Sequence, residues 1–385
     1  MSSYTQNMKS IKATLLYDGT GARPRKDVYV IFEGDKIKKI SKNRENTEVI
    51  AEGVVTPGFI DAHCHIGMAR SGEPYQEDET NEEMNAIYPL VNAVHSVYMD
   101  DKAFRESVEF GVMYSHVMPG SGNIIGGATA LIRNFARDIE DAFIKNIGIK
   151  AALGYNPRST TSWKGTRPST RMGAIAMLRE ELIKARKTKV LLNKKKKLPE
   201  EVEPLTEMFI DILDGKLPLM VHVHKEDDII TLMQLVDEFG IKAVINHACD
   251  VHSSELWEKV QKRKMPVIYG PVDSFSYKVE LKNENWRNIR YLVESGIKFA
   301  LMSDHPVVLQ RNLYLQLRFF RRFGMTREEA ISLITGNAAD ILGLKNIGKI
   351  RKGNLATMVV WNGEPLSMEA WPIMSIGEGQ VVYEE

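Results

Sequence analysis

The chain has 385 residues, of which 43% are hydrophobic and 26% are charged, so it is long and apolar enough to fold around a large core. This composition excludes a disordered or fibrous protein. The 51 Lys and Arg residues nearly balance the 50 Asp and Glu residues, and the net charge of +1 gives no global attraction to nucleic acid or to an anionic membrane. The function must therefore be argued from a local site.

Cysteine content and apolar segments predict where the protein works. The two cysteines, Cys64 and Cys249, cannot make a disulfide framework. The first residues lack the apolar run of a secretory signal, and no stretch approaches the roughly 18 uncharged apolar residues of a membrane helix. We therefore expect a soluble, cytoplasmic protein with no membrane and no nucleic acid as partner.

The two ends of the chain carry short strand patterns separated by glycine-containing turns. Near the amino terminus, IKATLLYDG and DVYVIFEGDKIKKI alternate apolar and polar residues, with a predicted hairpin turn at Gly34. Near the carboxyl terminus, IGKIRKGNLATMVVWNG and QVVYEE have the same pattern. Because neither end is long enough to fold alone, we predict one small composite β-sandwich domain from residues 1–55 and 345–385.

The middle of the chain, residues 56–344, alternates short apolar runs with amphipathic segments of helical length. The apolar runs VVTPGFIDAH, IGIKAALGY, LPLMVHVH, IKAVINHA, MPVIYG and IKFALMS predict buried strands, and helices are predicted over 172–187, 229–238 and 253–263. This alternation predicts an α/β fold, a distorted (β/α)8 TIM barrel, for which about 250 residues is typical. A doubly wound open sheet is the alternative, but the sequence has neither a GxGxxG after a first strand nor a P-loop.

Histidines and one aspartate stand where the predicted strands end. His63 and His65 are two residues apart, so on a strand both side chains point to the same face and can share a metal ion. His222 and His247 are about one βα unit apart, and Asp304 follows about two units later. Considered alone, His247 could be a hydrogen-bonded histidine of the core and Asp304 could cap a helix. Together they fall at the catalytic ends of strands one, five, six and eight, which predicts a metal centre.

Longer motifs surround these residues: PGFIDAHCH, NHA and MSDHP in the middle, and DGTG and GKIRKGNLATMVVW at the ends. They resemble the amidohydrolase superfamily of metal-dependent hydrolases over nearly the whole chain. VMPGSGNIIGG, GIKAALGYNPR, TRMGAIAMLREELIKAR and VHVHKEDDI are similar to its imidazolonepropionase-like branch, which includes prolidase-like dipeptidases. The resemblance implies one or two divalent metal ions, zinc first, with manganese, iron or nickel as alternatives.

The resemblance also implies which side chains hold the metal. In two-metal members a carboxylated lysine on strand four bridges the ions, because a carbamate offers two anionic oxygens. Lys150 is the lysine of that predicted strand, and its alternative role is a lysine that snorkels from a strand end. The implied ligands of the buried ion are His63, His65 and Asp304, and those of the more exposed ion are His222 and His247.

Two positions depart from the pattern of the resembling proteins. Tyr155 stands where many of them, with the sequence GxNPK, have a glutamate that could itself bridge the metals. Lys225 stands where the deaminases and imidazolonepropionases have a glutamate proton shuttle, and Glu226 is one residue further on. We therefore expect hydrolysis of a C–N bond in an amide, dipeptide or cyclic amide, with Asp304 as the catalytic base for a metal-activated water. A deaminase of a nitrogen heterocycle and a non-catalytic scaffold are the alternatives.

Residues on the loops after strands four and six are candidates for binding a small-molecule substrate. Tyr155, Arg158 or His252 could stabilise the charge of a tetrahedral intermediate. Arg158 and Arg171 could pair with a substrate carboxylate, or could instead hold a lid by salt bridges. A homo-oligomer is implied by the resemblance alone, and the sequence does not identify the substrate.

Overall fold

The computed structural model describes residues 8–88, 90–160, 162–272 and 274–385, and the strands in those ranges form two sheets. The strands in chain order are β1 (Lys9–Leu16), β2 (Arg25–Glu33), β3 (Lys36–Ser41), β4 (Glu48–Pro57), β5 (Phe59–Cys64), β6 (Val112–Val117), β7 (Ile125–Arg133), β8 (Phe143–Ala152), β9 (Leu219–Val223), β10 (Ala243–His247), β11 (Val267–Tyr269), β12 (Phe299–Leu301), β13 (Met358–Trp361), β14 (Pro372–Gly377) and β15 (Gln380–Glu384). The α-helices of the same ranges are α1 (Lys102–Glu109), α2 (Ile139–Ala142), α3 (Asn156–Ser159), α4 (Arg171–Asn193), α5 (Pro204–Leu213), α6 (Glu226–Phe239), α7 (Ser254–Lys262), α8 (Ile289–Glu294), α9 (Leu317–Arg322), α10 (Arg327–Ser332) and α11 (Gly336–Ile341).

The seven-stranded sheet is built from both ends of the chain, in the order β15-β14-β13-β4-β1-β2-β3. Its strands β2 and β3 form the predicted hairpin. The two ends meet where β13 pairs antiparallel with β4, with Met358 opposite Pro57. The terminal segments therefore pair in one sheet, while the predicted sandwich and its boundaries at residues 55 and 345 stay predictions.

The eight-stranded sheet follows sequence order from β5 to β12, and β12 lies beside β5, so the sheet is nearly closed. Just after β12, the amide of Asp304 donates a hydrogen bond to the carbonyl of His63 on β5 (3.1 Å). Strand β7 runs antiparallel to both β6 and β8. This differs from the predicted uninterrupted βα alternation, because residues 118–124 turn β6 directly back into β7 without a helix. The chain is thus an α/β fold with a barrel-like sheet and a second sheet.

One predicted strand, VVTPGFIDAH, is two strands in the structure. Strand β4 ends at Pro57 and β5 begins at Phe59, so the run passes from the terminal sheet into the barrel at Gly58. A Cβ added at Gly58 would lie 2.5 Å from Cγ of Met113, so this crossing requires a glycine. The other five predicted runs are strands β8 to β12, at the predicted places.

The three predicted helices are present as α4, α6 and α7. Helix α6 buries Ile229, Leu232 and Met233 in the same core cluster as the barrel strands and ends at Gly240, whose φ of 70° suits a glycine. Because α6 and α7 each follow a parallel strand, the carboxyl ends of those strands gather at one end of the barrel. Among the helices described, none combines the length and apolarity needed to cross a membrane.

Candidate metal centre

The side chains of all six predicted metal ligands converge at the carboxyl ends of the barrel strands. The Oδ1 atom of Asp304 lies 3.4 Å from Nε2 of His63 and 3.3 Å from Nε2 of His65. The ring of His247 is centred 4.8 Å from that of His63 and 4.4 Å from that of His222. The elements that supply them are β5 with the residue after it for His63 and His65, β8 for Lys150, β9 for His222, β10 for His247 and the segment after β12 for Asp304.

Hydrogen bonds outside the cluster fix the orientation of three imidazoles. The Nδ1 atoms of His65 and His247 lie 2.7 Å and 2.9 Å from backbone carbonyl oxygens, which only accept hydrogen bonds. The Nδ1 atom of His63 lies 2.9 Å from Oδ1 of Asn246, whose amide nitrogen donates to the carbonyl of Val244. Each Nδ1 therefore carries the proton, and the lone pair on Nε2 is left to face the cluster.

Two overlapping groups of donor atoms are close enough to hold metal ions. One group is His63, His247 and Asp304, the other is His222, His224 and His247, and within each group the atoms lie within 4.8 Å of one another. Nδ1 of His222, Nδ1 of His224 and Nε2 of His247 are buried without a hydrogen-bond partner. Buried polar atoms of this kind are rare in folded proteins, so three at one site fit a set of metal donors.

Burial keeps these imidazoles in the form that binds metals. Desolvation is the main cause that lowers the pKa of His63, His222 and His247 well below the usual value, with smaller contributions from neighbouring positive groups. Desolvation likewise lowers the pKa of His224 to about 3. Neutral imidazole is the species that coordinates a cation, so binding here need not displace a proton at neutral pH.

Lys150 lies beside His63 of this cluster and is fully buried. Its Nζ atom is 3.3 Å from Nε2 of His63. Desolvation lowers the pKa of Lys150 to about 7, although the charge of Asp304 opposes the shift. A substantial fraction of this amine is therefore neutral near pH 7, and the neutral amine is the nucleophilic form.

The backbone and a buried carboxylate position Asp304. Both Asp304 and His247 have positive φ angles, 53° and 77°, which are uncommon for residues other than glycine and are often found at functional sites. The carboxylate of Asp61 on β5 accepts hydrogen bonds from the Ser303 amide (3.0 Å), the Ser303 hydroxyl and Nε2 of Gln310 (2.8 Å). Asp61 therefore ties the first barrel strand to the residue that precedes Asp304.

The sequence indicates His224 as a polar residue at the end of an apolar strand but assigns it no ligand role, and Glu280 was not predicted at all. His224 has the same two-residue spacing from His222 that identified the first histidine pair, so the signal was present. Glu280 comes from the segment after β11 and is 1% exposed, with Oε1 3.0 Å from Nε2 of His222. No periodicity in the sequence points to Glu280, because its segment is neither a strand nor a long helix.

The four predicted substrate-binding residues lie on segments that follow β8 and β10, and the side chains of the two arginines contact other protein groups. Nε of Arg171 lies 2.5 Å from Oδ1 of Asp228 on α6, and Nε of Arg158 donates to the carbonyl of Gly154 (2.9 Å). Their substrate-binding roles stay predictions.

The other two candidates also contact neighbouring residues. The amide of Tyr155 donates to Oε2 of Glu280 (3.1 Å). The side chain of His252 is 47% exposed, and its amide donates to Oε1 of Glu226 (3.0 Å). Glu226, the shifted candidate for a proton shuttle, is thus turned towards His252.

A nearly closed barrel-like sheet with histidines and an aspartate at its strand ends defines a class of hydrolases. The model of the amidohydrolase family matches residues 54–382, and the chain belongs to this family.

Two curated proteins are similar in sequence. The chain is 24% identical over 392 residues to amidohydrolase tasK of Hapsidospora irregularis, an alignment that covers 92% of this chain and 40% of that protein. It is 23% identical over 357 residues to an imidazolonepropionase of Picrophilus torridus, covering 87% and 86% of the two chains. The chain therefore spans less than half the length of the first of these relatives.

Solved structures share the fold. An amidohydrolase from Thermotoga maritima superposes with a TM-score of 0.91 and 31% identity, covering 98% of this chain and all of that one. A Xaa-Pro dipeptidase with bound methionine in its active site covers 98% of this chain and all of its own, with a TM-score of 0.57 and 14% identity. At that identity the second likeness concerns the fold alone.

Proposed function

We propose that this amidohydrolase-family protein is a metal-dependent hydrolase that cleaves a C–N bond in a small amide, dipeptide or cyclic amide. The observation that carries the proposal is the convergence of the six predicted ligands, namely four imidazoles, one lysine and one carboxylate, at the strand ends. The family includes relatives named amidohydrolase, and the fold is shared with a dipeptidase, which supports an amide or peptide bond.

The donors divide into two sets that would hold two ions. His63, His65 and Asp304 would hold the inner ion. His222 and His247 would hold the outer ion, with His224 close enough to add a donor. Lys150, whose Nζ atom is 3.3 Å from Nε2 of His63, would bridge the sets as a carbamate. Zinc suits imidazole and carboxylate donors, and manganese, iron and nickel are alternatives.

A divalent ion at this site supplies Lewis-acid chemistry, which lowers the pKa of water and polarises a carbonyl. Asp304 is the proposed proton carrier, because its side chain is 16% exposed whereas His63 beside it is fully buried. Its carboxylate can reach both the cluster and the solvent-facing side where a substrate would enter. It would accept the proton of the attacking water and deliver it to the departing amine.

Deamination of a nitrogen heterocycle is the second candidate, and one observation favours it. The sequence lacks the expected glutamate three residues after His222, but Glu280 places a buried carboxylate 3.0 Å from Nε2 of that histidine. The carboxylate of Glu280, near the outer site, could act as the proton shuttle although it comes from a different loop.

Cytoplasmic location and homo-oligomerisation remain proposals. Both cysteines are free and buried, which supports a reducing compartment. The assembly state is measured directly by light scattering on the purified chain.

The first experiment measures metal per chain by elemental mass spectrometry on protein purified without chelators or metal-affinity resin. We expect two ions in the wild type and fewer in His65→Ala and His247→Ala, because each removes a donor. The matched control is His95→Ala, which removes an exposed histidine outside the cluster. Dipeptides and N-acyl amino acids are the first substrates to screen, followed by nitrogen heterocycles. A wild type that binds no ion even after addition of zinc or manganese would contradict the proposal and favour a scaffold.

A further inference from the structure

The geometry points to Glu280 as a positioning residue that holds His222 in the orientation needed to bind the outer metal ion. The inference rests on the proposed metal-dependent function. Glu280 lies in a short 3-10 turn, Val279–Leu281, in the segment between β11 and α8. It is 33 residues from His247 in the sequence, yet its side chain is 1% exposed and its carboxylate contacts His222 on β9 and lies 3.9 Å from Nε2 of His224.

The hydrogen bonds of Glu280 determine which nitrogen of His222 carries the proton. Oε1 of Glu280 lies 3.0 Å from Nε2 of His222, and Oε2 accepts the amide hydrogen of Tyr155 (3.1 Å). Oε1 also lies 2.8 Å from Nζ of Lys278, an ammonium nitrogen that only donates hydrogen bonds. The carboxylate oxygen is therefore the acceptor for its neighbours, Nε2 of His222 is a donor, and Nδ1 keeps its lone pair. Nδ1 is the buried atom of His222 that has no hydrogen-bond partner.

This arrangement differs from those of the other three imidazoles. His63, His65 and His247 are each oriented through Nδ1 by a neutral oxygen, and their Nε2 atoms face the cluster. His222 is oriented through Nε2 by a charged oxygen and presents Nδ1. A carboxylate bound to the far nitrogen of a metal-binding imidazole fixes its ring and makes it a stronger donor, and losing such a partner costs about 10–100-fold in metal affinity.

Lys278 is the positively charged partner of Glu280, and its charge affects how the Glu280 variants are interpreted. Its side chain is 10% exposed and offsets the buried charge of Glu280. Without the carboxylate of Glu280, the positive charge of Lys278 would have lost this negative partner and would lie close to the proposed cation site. A neutral substitution of Glu280 therefore has two effects, the release of His222 and the exposure of the ion to Lys278, and separate variants must distinguish them.

The experiment compares Glu280→Gln, Glu280→Asp and the double variant Lys278→Met/Glu280→Gln. Aspartate keeps the charge but is one methylene shorter, so it loses the reach to His222. The double variant removes both charges, so repulsion by Lys278 cannot explain its behaviour. The control is Glu284→Gln, a change in the same segment at a side chain that accepts a hydrogen bond from Ser276. Metal-free proteins are titrated with zinc against a chromophoric chelator, and circular dichroism and thermal melting check their folding.

We expect all three Glu280 variants to bind the weaker of two zinc ions about 10–100-fold less tightly, with the tighter ion and the Glu284→Gln control unchanged. Unchanged zinc affinities in Glu280→Asp and the double variant would overturn the inference while leaving the proposed function intact. If the wild type binds one ion, the same comparison is made on that ion, and equal affinity again overturns the inference. A wild type that binds no zinc would overturn both. If Glu280→Gln does not fold, the other two variants decide the question.

Discussion

The Nζ atom of Lys150 lies 3.3 Å from Nε2 of His63, and both side chains are fully buried. The amine has no acidic hydrogen-bond partner among its described contacts. Its carboxylation would convert this lysine into an anionic bridge. The number of metal ions per chain therefore reports on whether Lys150 is carboxylated.

We expect Lys150→Ala to lose one of two ions per chain, because the proposed bridge is removed. Acetate or propionate should restore part of the second equivalent by placing a free carboxylate in the vacated space. Lys145→Ala changes a lysine of the same strand whose Nζ bonds to a backbone carbonyl outside the cluster, and it serves as the control. Equal zinc content in Lys150→Ala and the wild type would rule out the carbamate bridge.

The lowered pKa of Lys150 predicts how the stability of the metal-free protein depends on pH. The folded-state pKa is about 7 and the ordinary value is 10.5. Between these values the unfolded chain binds a proton that the folded chain does not, so the free energy of unfolding falls as pH falls from about 10.5 to about 7 and levels off below that. Lys150→Met lacks this titration, so it should gain stability relative to the wild type, and gain more at pH 7 than at pH 10.

The measurement is urea unfolding of chelator-treated wild type and Lys150→Met at pH 7 and pH 10. The difference between the two proteins isolates Lys150 from the other groups that titrate in this range. A difference in unfolding free energy that does not change with pH would show that the buried amine keeps an ordinary pKa.

Much of the cluster could be predicted from the sequence because strand geometry is local. His63 and His65 end an apolar run and share one face by their spacing, and the same reasoning applies to His222 and His224. The strand numbers assigned to His247 and Asp304 also match the order of the barrel strands.

What the sequence could not show depends on tertiary contacts. The apolar pattern of β7 is the same for either strand direction, so its antiparallel pairing was not visible. Glu280 lies in an irregular segment, and its carboxylate contacts Tyr155 and His222, which are distant in the sequence. The orientation of Asp304 likewise depends on Asp61, 243 positions away in the chain, through Ser303.

We expect Asp304→Asn to fold and to lose about 10²–10⁴-fold in kcat/KM, because an amide cannot accept and deliver the proton. The measurement uses the best substrate from the amide and dipeptide screen, with circular dichroism and metal content recorded on the same sample. Asp227→Asn, at an exposed position of α6, is the matched control. Wild-type turnover in Asp304→Asn would mean that another group carries the proton.

We expect Asp61→Asn to weaken both the fold and the inner metal site. The two carboxylate oxygens of Asp61 accept hydrogen bonds from the Ser303 amide, the Ser303 hydroxyl and Gln310. In either orientation of the introduced asparagine, its amide nitrogen would replace one of these acceptors and face at least one donor. A buried donor left without an acceptor costs about 1–3 kcal/mol in the free energy of unfolding. Because Ser303 precedes Asp304, the disturbed contact should also weaken zinc binding at the inner site.

Chemical denaturation measures the loss of stability and chelator competition measures the zinc affinity, with Asp100→Asn as an exposed control. Lost stability with unchanged zinc affinity would limit Asp61 to a structural role and remove it from the positioning of Asp304.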